Sequence, residues 1–258
     1  MMPCNSCVFA VPLDDDGYEP SASVQQGASA ITLEEEEAIA AIGGPTASTY
    51  GEVTKQGFVS LARRCHLSSE DVFADLGSGL GLCSIQAVRE FAVRRACGIE
   101  LSRSRHNLAI ANLPSTGVAS RISFVHGDCA ERSLWEGQDS PLMGVTVLYV
   151  SSLLFSSQLM SRMAAQIVST RVGTGLRVVA TLKRFRWGAL RRAGFREKRA
   201  EPCEMSWTSA QPVYIYERDK RPFLQSAGRK PGQIMPVAVH QPVSFDTRRQ
   251  AEAHAEAT

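Results

Sequence analysis

A glycine-rich turn between two apolar segments is the feature that most restricts how this sequence can fold. Residues 72–81 have the sequence VFADLGSGLG, and a helix-compatible segment, residues 82–91, follows directly. An apolar run, a turn and a helical pattern together predict a β-strand, a tight loop and an α-helix. Glycine is needed in such a loop because the backbone turns sharply and a ligand approaches where a Cβ atom would collide. The segment is therefore predicted to bind a nucleotide.

The glycine spacing distinguishes between two nucleotide ligands. A dinucleotide site has the pattern G-x-G-x-x-G, whereas Gly77, Gly79 and Gly81 have the spacing G-x-G-x-G and follow an acid, Asp75. A carboxylate at the end of the first strand attracts the ammonium of a methionyl group and repels a pyrophosphate. The pattern favours S-adenosylmethionine over NAD. For this segment taken alone, an ordinary strand–helix bend is the alternative.

Two further acids follow strand-like segments. Glu100 ends residues 95–100, about twenty residues after the glycines, where a ribose-binding carboxylate belongs in a doubly wound sheet. Asp128 ends a third such segment, residues 121–128, and is placed to reach an adenine amino group. Because open α/β sheets bind ligands at the carboxyl ends of their strands, we expect Asp75, Glu100 and Asp128 to share one crevice.

Length and composition favour one domain with extensions. The chain has 258 residues, of which 44% are hydrophobic, enough for one full core. We expect a flexible N-terminal lead at residues 1–30, a catalytic domain at residues 31–218 and a flexible basic tail at residues 219–258. The net charge of +2 gives no general signal for a polyanionic partner, although arginines concentrate in the later half.

Cysteine usage and hydropathy predict an intracellular, soluble protein. The seven cysteines form an odd number without a signal peptide, which is typical of reduced thiols. Cys4 and Cys7 have the spacing of half a zinc site, but no second pair matches, so no metal is predicted. No apolar run is long enough to span a bilayer, and no membrane partner is expected.

The remaining segments complete an α/β pattern. Helices are predicted near residues 31–42, 53–65, 104–113 and 156–169, and further strands near residues 145–150, 175–183, 202–207 and 212–218, the last two antiparallel. The predicted fold is a seven-stranded, mostly parallel sheet with helices on both faces.

Residues 49–52 allow two interpretations. Thr49 and Glu52 have the spacing of a helix capping box, whereas Tyr50 and Glu52 are also placed to form a loop over the methionine end of the cofactor. Position alone favours neither.

Several segments together resemble one family. The sequences TYGE, VFADLGSGLG, GIE, GD, LYVSSLLF, MSWT and PVY occur, in this order and approximate spacing, at residues 49–52, 72–81, 98–100, 127–128, 148–155, 205–208 and 212–214. They resemble the Dot-one, or disruptor-of-telomeric-silencing, family of non-SET histone lysine methyltransferases, which has a class I, Rossmann-like fold. The match covers roughly residues 46–218. Many methyltransferases share the glycine-rich turn, so TYGE and SWT…PV are the specific segments.

The resemblance implies roles for individual residues. It implies that Tyr50 and Glu52 cover the methionine moiety and that Glu100 and Asp128 bind the ribose and the adenine. The residues implied to hold or contact the rest of S-adenosylmethionine are Asp75, Gly77, Ser78, Gly79, Gly81 and Cys129. The implied substrate is a lysine of the histone H3 core in nucleosomes. The implied location is the nucleus, with the cytoplasm as the alternative.

Three departures from the family pattern leave other functions open. The family usually has Asn-Asn at the position of Ser151-Ser152, Gln at Leu82 and Phe at Cys129. Losing the aromatic ring removes a stacking contact of about 0.5–1.5 kcal/mol. The alternatives are methylation of a non-histone protein or a small molecule, and a degenerate cofactor-binding or chromatin-binding module.

Methyl transfer to lysine sets requirements for the reacting end of the site. The amine, with a solution pKa of about 10.4, must lose its proton, and a dry aromatic channel favours the neutral form. We place Phe155, Trp207 and Tyr214 or Tyr216 around that channel, although core packing is an equal alternative for each. Ser151 and Ser152 are predicted to touch the amine.

The arginine-rich later half suits a nucleosome partner and nonspecific contact with its DNA. A solvated basic face is the alternative. The sequence shows no aromatic-interleaved nucleic-acid motif, and it does not indicate an oligomeric state.

Overall fold

A computed structural model describes residues 31–198 and 200–218 of the chain. The proposed lead and tail, with Cys4 and Cys7, lie outside the described residues. The helices are α1 (Leu33–Gly43), α2 (Lys55–Arg64), α3 (Leu82–Phe91), α4 (Arg103–Asn112), α5 (Ser157–Ser169) and α6 (Arg171–Gly175). The strands are β1 (Val72–Leu76), β2 (Arg95–Glu100), β3 (Ile122–His126), β4 (Val147–Val150), β5 (Val178–Thr181), β6 (Phe195–Glu197), β7 (Glu201–Met205) and β8 (Thr208–Arg218).

The strands of the described chain form one eight-stranded sheet. Its order is β3-β2-β1-β4-β5-β8-β6, and β7 pairs with β8 off this path. Strands β1 to β5 are parallel, and β8 is antiparallel to β5, β6 and β7. The mostly parallel α/β fold and the antiparallel final pair are confirmed. The short strand β6 was not predicted, so the sheet has one strand more than the seven expected.

Two apolar cores cover the two faces of the sheet. Successive residues of a strand point to opposite faces. Leu148 of β4 belongs to the core that contains Met163 of α5, whereas its neighbour Val147 belongs to the core that contains Phe58 of α2. Each large side chain fully buried in this way contributes about 1.5–3 kcal/mol. The helices hold the sheet from both sides and leave its carboxyl edge open.

The start of α2 excludes one of the two interpretations of residues 49–52, the capping box. The cap is Thr54, whose Oγ1 accepts a hydrogen bond from the Gly57 amide at 3.0 Å. The capping box at Thr49 and Glu52 is therefore wrong, and these residues precede the helix in an irregular loop. A capping box does occur at α1, between Thr32 and Glu35.

The loop between β1 and α3 requires its glycines. Gly77, Gly79 and Gly81 have φ angles of 78°, 52° and 80°, a region that side chains disfavour. A Cβ atom at Gly79 would lie 2.8 Å from the Tyr50 ring, and one at Gly81 would lie 2.1 Å from the Phe124 ring. The turn is therefore closely packed against Tyr50 on one side and against Phe124 on the other.

Within residues 31–198 and 200–218, no helix combines the length and apolar character needed to cross a membrane. The same residues contain no group of three or more His, Cys, Asp or Glu that could hold a metal ion.

Candidate active site

A cavity opens at the carboxyl edge of the sheet. Its volume is about 920 Å³, counted with its mouth open to solvent. The predicted site residues that line it are Tyr50, Glu52, Asp75, Gly77, Ser78, Gly79, Glu100, Asp128, Cys129, Ser151 and Phe155. The structure thus brings the three acids into one crevice.

Asp75, in β1, is an unsatisfied acid in the wall of this cavity. Its side chain is 2% exposed, and its Oδ1 atom is buried without a hydrogen-bond partner. Burial, and then the nearby charge of Glu100, raise the pKa of Asp75 to about 8. A buried carboxyl oxygen without a hydrogen-bond partner is costly, and a cation in the cavity would offset that cost.

Glu100, the last residue of β2, is fixed by two backbone amides. Its Oε2 atom accepts from the Gly79 amide and its Oε1 atom accepts from the Ser102 amide, each at 2.8 Å. The carboxylate therefore joins the glycine-rich turn to the start of α4. Each carboxylate oxygen has a second lone pair that is able to accept from a ligand hydroxyl.

Asp128 and Cys129 follow β3 at another wall of the cavity. Asp128 accepts from the Ala130 amide at 2.9 Å and pairs with Arg162 of α5 at 2.6 Å. The Cys129 thiol is buried 3.7 Å from the sulfur of Met163, and burial raises its pKa. A neutral thiol at this position offers an apolar surface of small area to a ligand.

The cover loop, residues 48–53, lies over the glycine-rich turn. The Tyr50 hydroxyl donates to the Glu52 carboxylate, and burial raises the pKa of both groups. Gly51 packs directly on Trp207, because a Cβ atom at Gly51 would lie 2.4 Å from the indole ring. Trp207, placed by the sequence around an acceptor channel, instead supports the outer side of the cover loop.

Arg105, in the first turn of α4, is a cavity residue that the sequence prediction missed. It is 5% exposed, its Nη2 atom donates to the Ser48 carbonyl at 2.6 Å, and its Cζ atom lies 4.8 Å from the Tyr50 ring centroid. Its Nε atom is buried without a partner, and burial lowers its pKa. Arg105 thus fixes the cover loop from inside the protein. An arginine in the first turn of a helix has no sequence pattern that would have identified this role.

Helix α1 is the second missed part of the site. Ile39, Ile42 and Gly43 line the cavity, so this helix forms one of its walls. Glu35 attaches the helix to the start of α4 by accepting from the amide and hydroxyl of Ser104 at 2.9 and 2.7 Å. Burial opposes ionisation of Glu35, but the bonds from Ser104 outweigh it and lower the pKa of that carboxyl.

Ser151 and Phe155 lie at the end of the cavity beside Gly77. The ring of Phe155 lies 3.2 Å from the Cβ position of Gly77. Tyr149, another residue missed from the sequence, also lines this end and is buried, which raises its pKa.

Ser152, by contrast, is placed away from the cavity. It is 0% exposed, its hydroxyl is bonded to the Thr181 hydroxyl, and it accepts from the Lys183 amide at 3.0 Å. The expected contact with a substrate amine is not supported, because adjacent residues at the end of β4 point in different directions.

The tyrosines of β8 and the third glycine also lie outside the cavity lining. Tyr216 is in the core, where its hydroxyl accepts from the Phe185 amide at 3.1 Å, and Tyr214 packs against the same core. Gly81 caps α3 and contacts Phe124. Alternation along β8 puts both tyrosines on one face, and that face packs against the core.

A parallel sheet of this order, with a glycine-rich turn after β1 and acids at the ends of β1 and β2, defines the class I methyltransferase fold. The sequence model of the family described as "Histone methylation protein DOT1" matches residues 33–215 of this chain. The chain belongs to this family.

Curated relatives match shorter stretches. A protein-lysine N-methyltransferase of Saccharolobus islandicus is 37% identical over 70 residues, covering 27% of this chain and 44% of the relative. A histone-lysine N-methyltransferase, H3 lysine-79 specific, of Kluyveromyces lactis is 33% identical over 93 residues, covering 31% of this chain and 16% of the relative. The chain spans less than half the length of these relatives.

Solved structures of methyltransferases resemble this chain at low sequence identity. An RNA methyltransferase from Salinibacter ruber in complex with S-adenosyl-L-homocysteine is 22% identical, with 66% of this chain and 95% of that chain covered and a TM-score of 0.46. TrmK of M. capricolum is 12% identical, with 64% and 67% covered and a TM-score of 0.48.

Proposed function

We propose that this protein is an S-adenosylmethionine-dependent protein lysine N-methyltransferase that acts on a histone H3 core lysine in nucleosomes. The observation that carries the proposal is the buried carboxyl of Asp75, whose Oδ1 atom has no hydrogen-bond partner, in a cavity shared with Glu100 and Asp128. This arrangement fits a ligand with one ammonium, adjacent hydroxyls and an amino-bearing base.

The residues present fit S-adenosylmethionine as the cofactor. Asp75 would hold its ammonium, Glu100 its ribose hydroxyls and Asp128 its adenine amino group, while the turn at Gly77 to Gly79 leaves room for its methionyl chain. When bound, this cofactor supplies a methyl group on a positively charged sulfur. Tyr50 and Glu52 in the cover loop would exclude water from that end.

At the reacting end, the protein has to align an amine and keep it neutral. Ser151 offers a hydroxyl that can accept a hydrogen bond from the amine, and Phe155 and Tyr149 provide a dry surface. Desolvation lowers the pKa of a lysine amine, so an apolar channel favours the nucleophilic form. Alignment can then supply about 7–11 kcal/mol of the barrier reduction in a displacement of this kind.

The family supports the histone substrate. Relatives named for H3 lysine-79 include that of Kluyveromyces lactis and one of Candida glabrata, which is 28% identical over 130 residues. A histone substrate implies that the protein acts in the nucleus, and we include that location in the proposal.

A second candidate is methylation of lysine in a non-histone protein. The relative from Saccharolobus islandicus, 37% identical over 70 residues, has a name that specifies protein lysine without a histone. Ser151, where the family usually has an amide, also alters the group that would meet the substrate.

Purified protein incubated with methyl-labelled S-adenosylmethionine and nucleosomes tests the proposal. We expect label on histone H3, lost in Asp75→Ala and Glu100→Ala and kept in Asp139→Ala, which removes an exposed acid outside the cavity. Label that survives both cavity variants would exclude this site. Label confined to non-histone proteins of an extract would favour the second candidate, and calorimetric cofactor binding without transfer would indicate a binding module.

A further inference from the structure

The segment between β5 and β7 concentrates the positive charge of the protein. This basic segment, residues 183–198, contains seven Lys or Arg residues and one acid, in a chain whose net charge is +2. It begins beside the cavity, because Lys183 Nζ donates to the carbonyl of Phe155. The basic segment therefore begins next to the end of the cavity that Phe155 lines.

Three of these seven cationic side chains are not neutralised by the described part of the chain, whereas Lys198 pairs with Glu217 at 3.0 Å. Arg184 pairs with Glu197 at 2.8 Å. The side chains of Arg186, Arg191 and Arg192 are exposed and form no ion pair with any residue that the structure describes. Three guanidinium groups are thus available to bind anionic groups such as phosphates.

An exposed tryptophan lies among these arginines. Trp187 is 75% exposed, although tryptophan is a largely buried residue in most proteins. The Cζ atom of Arg184 lies 5.3 Å from its ring centroid, so one face of the indole rests on a guanidinium. The indole is therefore oriented, with most of its surface available to a flat, electron-rich partner.

Two buried anchors hold this part of the segment. Phe185 is in the core, with its ring 5.6 Å from that of Tyr216, and Leu190 is buried on the other side. Between them the chain turns at Gly188, which has φ of 76°, and the Ala189 amide donates to the Arg186 carbonyl at 2.9 Å. Residues 186–189 project from the surface in a defined turn, so little ordering is required when a partner binds.

We propose that the basic segment is a binding site for single-stranded nucleic acid, with a base stacked on Trp187 and phosphates on Arg186, Arg191 and Arg192. Stacking on aromatic side chains combined with a positively charged path is the general chemistry of single-strand binding. A duplex hides the faces of its bases, and an acidic protein surface would use the guanidinium groups without needing the exposed indole. A single strand uses both features.

Fluorescence anisotropy with a labelled 12-nucleotide oligouridine tests this, using the full chain without cofactor, so that the result is independent of methyl transfer. We expect salt-sensitive binding that Trp187→Ala weakens about tenfold, because a stacked base contributes about 1–3 kcal/mol. Each of Arg186→Ala, Arg191→Ala and Arg192→Ala should lower the salt slope by about 0.7. Arg63→Ala, an exposed arginine on α2 against the opposite face of the sheet, should leave binding unchanged.

Because Trp187 and the three arginines are exposed, their variants should unfold at the wild-type temperature. Oligouridine binding that is unaffected by Trp187→Ala would overturn the proposal and would assign the binding to another part of the chain. Equal affinity for a 12-base-pair duplex, or displacement of the strand by polyglutamate at equal charge, would also overturn it in favour of duplex or acidic-protein docking.

Discussion

Glu52 and Ser206 exchange two hydrogen bonds across the open edge of the cavity. The Glu52 amide donates to Ser206 Oγ at 3.1 Å, and the Ser206 amide donates to the Glu52 carbonyl at 2.8 Å. Ser206 belongs to the turn between β7 and β8, so this hairpin holds the cover loop in place. The two segments most specific to the family resemblance, TYGE and SWT, are therefore one structural unit.

Gly51→Ala is expected to weaken S-adenosylmethionine binding about tenfold. The new Cβ atom would lie 2.4 Å from the Trp207 ring, and such overpacking costs about 1–3 kcal/mol. The loop is the part able to move, so cofactor affinity should suffer more than unfolding temperature. Calorimetry and thermal melts together measure both quantities.

Ser206→Ala is also expected to weaken S-adenosylmethionine binding, but less than Gly51→Ala does, because one hydrogen bond is worth about 1 kcal/mol. Ser209→Ala, an exposed serine of the same hairpin, is the matched control and should bind the cofactor normally. Unchanged affinity in both Gly51→Ala and Ser206→Ala would show that the cover loop does not meet the cofactor.

Cofactor affinity is expected to rise with pH because of Asp75. The pKa of this carboxyl is raised to about 8, so it holds a proton at pH 6–7 in the cofactor-free protein. A bound ammonium favours the carboxylate, and binding must then release that proton. Affinity should increase about tenfold from pH 6 to pH 7, a range below the titration of the cofactor amine near pH ~7.7. Calorimetry in two buffers of different ionisation enthalpy counts the released proton.

Asp75→Asn provides the control for this linkage, since an amide does not titrate. Its binding should be weaker and independent of pH, and pH dependence equal to that of the wild type would assign the proton to another group. The pH dependence of the free energy of unfolding gives a second test that the pKa of Asp75 is raised. Between about pH 4 and pH 8 the unfolded state releases this proton whereas the folded state keeps it, so the wild type becomes less stable as the pH rises and Asp75→Asn should gain stability relative to it.

The sequence predicted the parts of the site that lie next to strand ends. Asp75 and Glu100 were located correctly because parallel strands and tight turns fix where such residues lie. Arg105 was not predicted, since an arginine in the first turn of a helix has no distinguishing pattern. The orientation of Ser152 and the exposure of Trp187 could not be predicted from the sequence either. The direction of a side chain at a strand end or in a loop depends on tertiary packing, here on Thr181 and on the anchors of the basic segment.

Arg105 is expected to act as a positioning residue for the cover loop. Arg105→Met removes the donor to the Ser48 carbonyl and the charge beneath Tyr50, and an unsatisfied buried carbonyl costs about 1–3 kcal/mol. Cofactor affinity should fall about tenfold, whereas turnover at saturating cofactor should change little. Arg105→Lys should recover part of the affinity, and Arg103→Ala, an exposed arginine of the same helix, should have no effect. Equal affinity in Arg105→Met and the wild type would contradict this role.

The two serines after β4 are expected to separate stability from turnover. Ser152→Ala leaves the Lys183 amide without its buried acceptor and removes one of the two hydrogen bonds of the Thr181 hydroxyl, which still donates to the Lys183 carbonyl. The substitution should therefore lower the free energy of unfolding by about 1–3 kcal/mol while cofactor affinity stays constant. Ser151→Ala changes a cavity residue and should reduce turnover with little change in unfolding temperature. Melting curves and single-turnover methylation at saturating cofactor measure the two effects. A reversal, with turnover sensitive to Ser152 and indifferent to Ser151, would mean that the acceptor amine approaches from the side of β5.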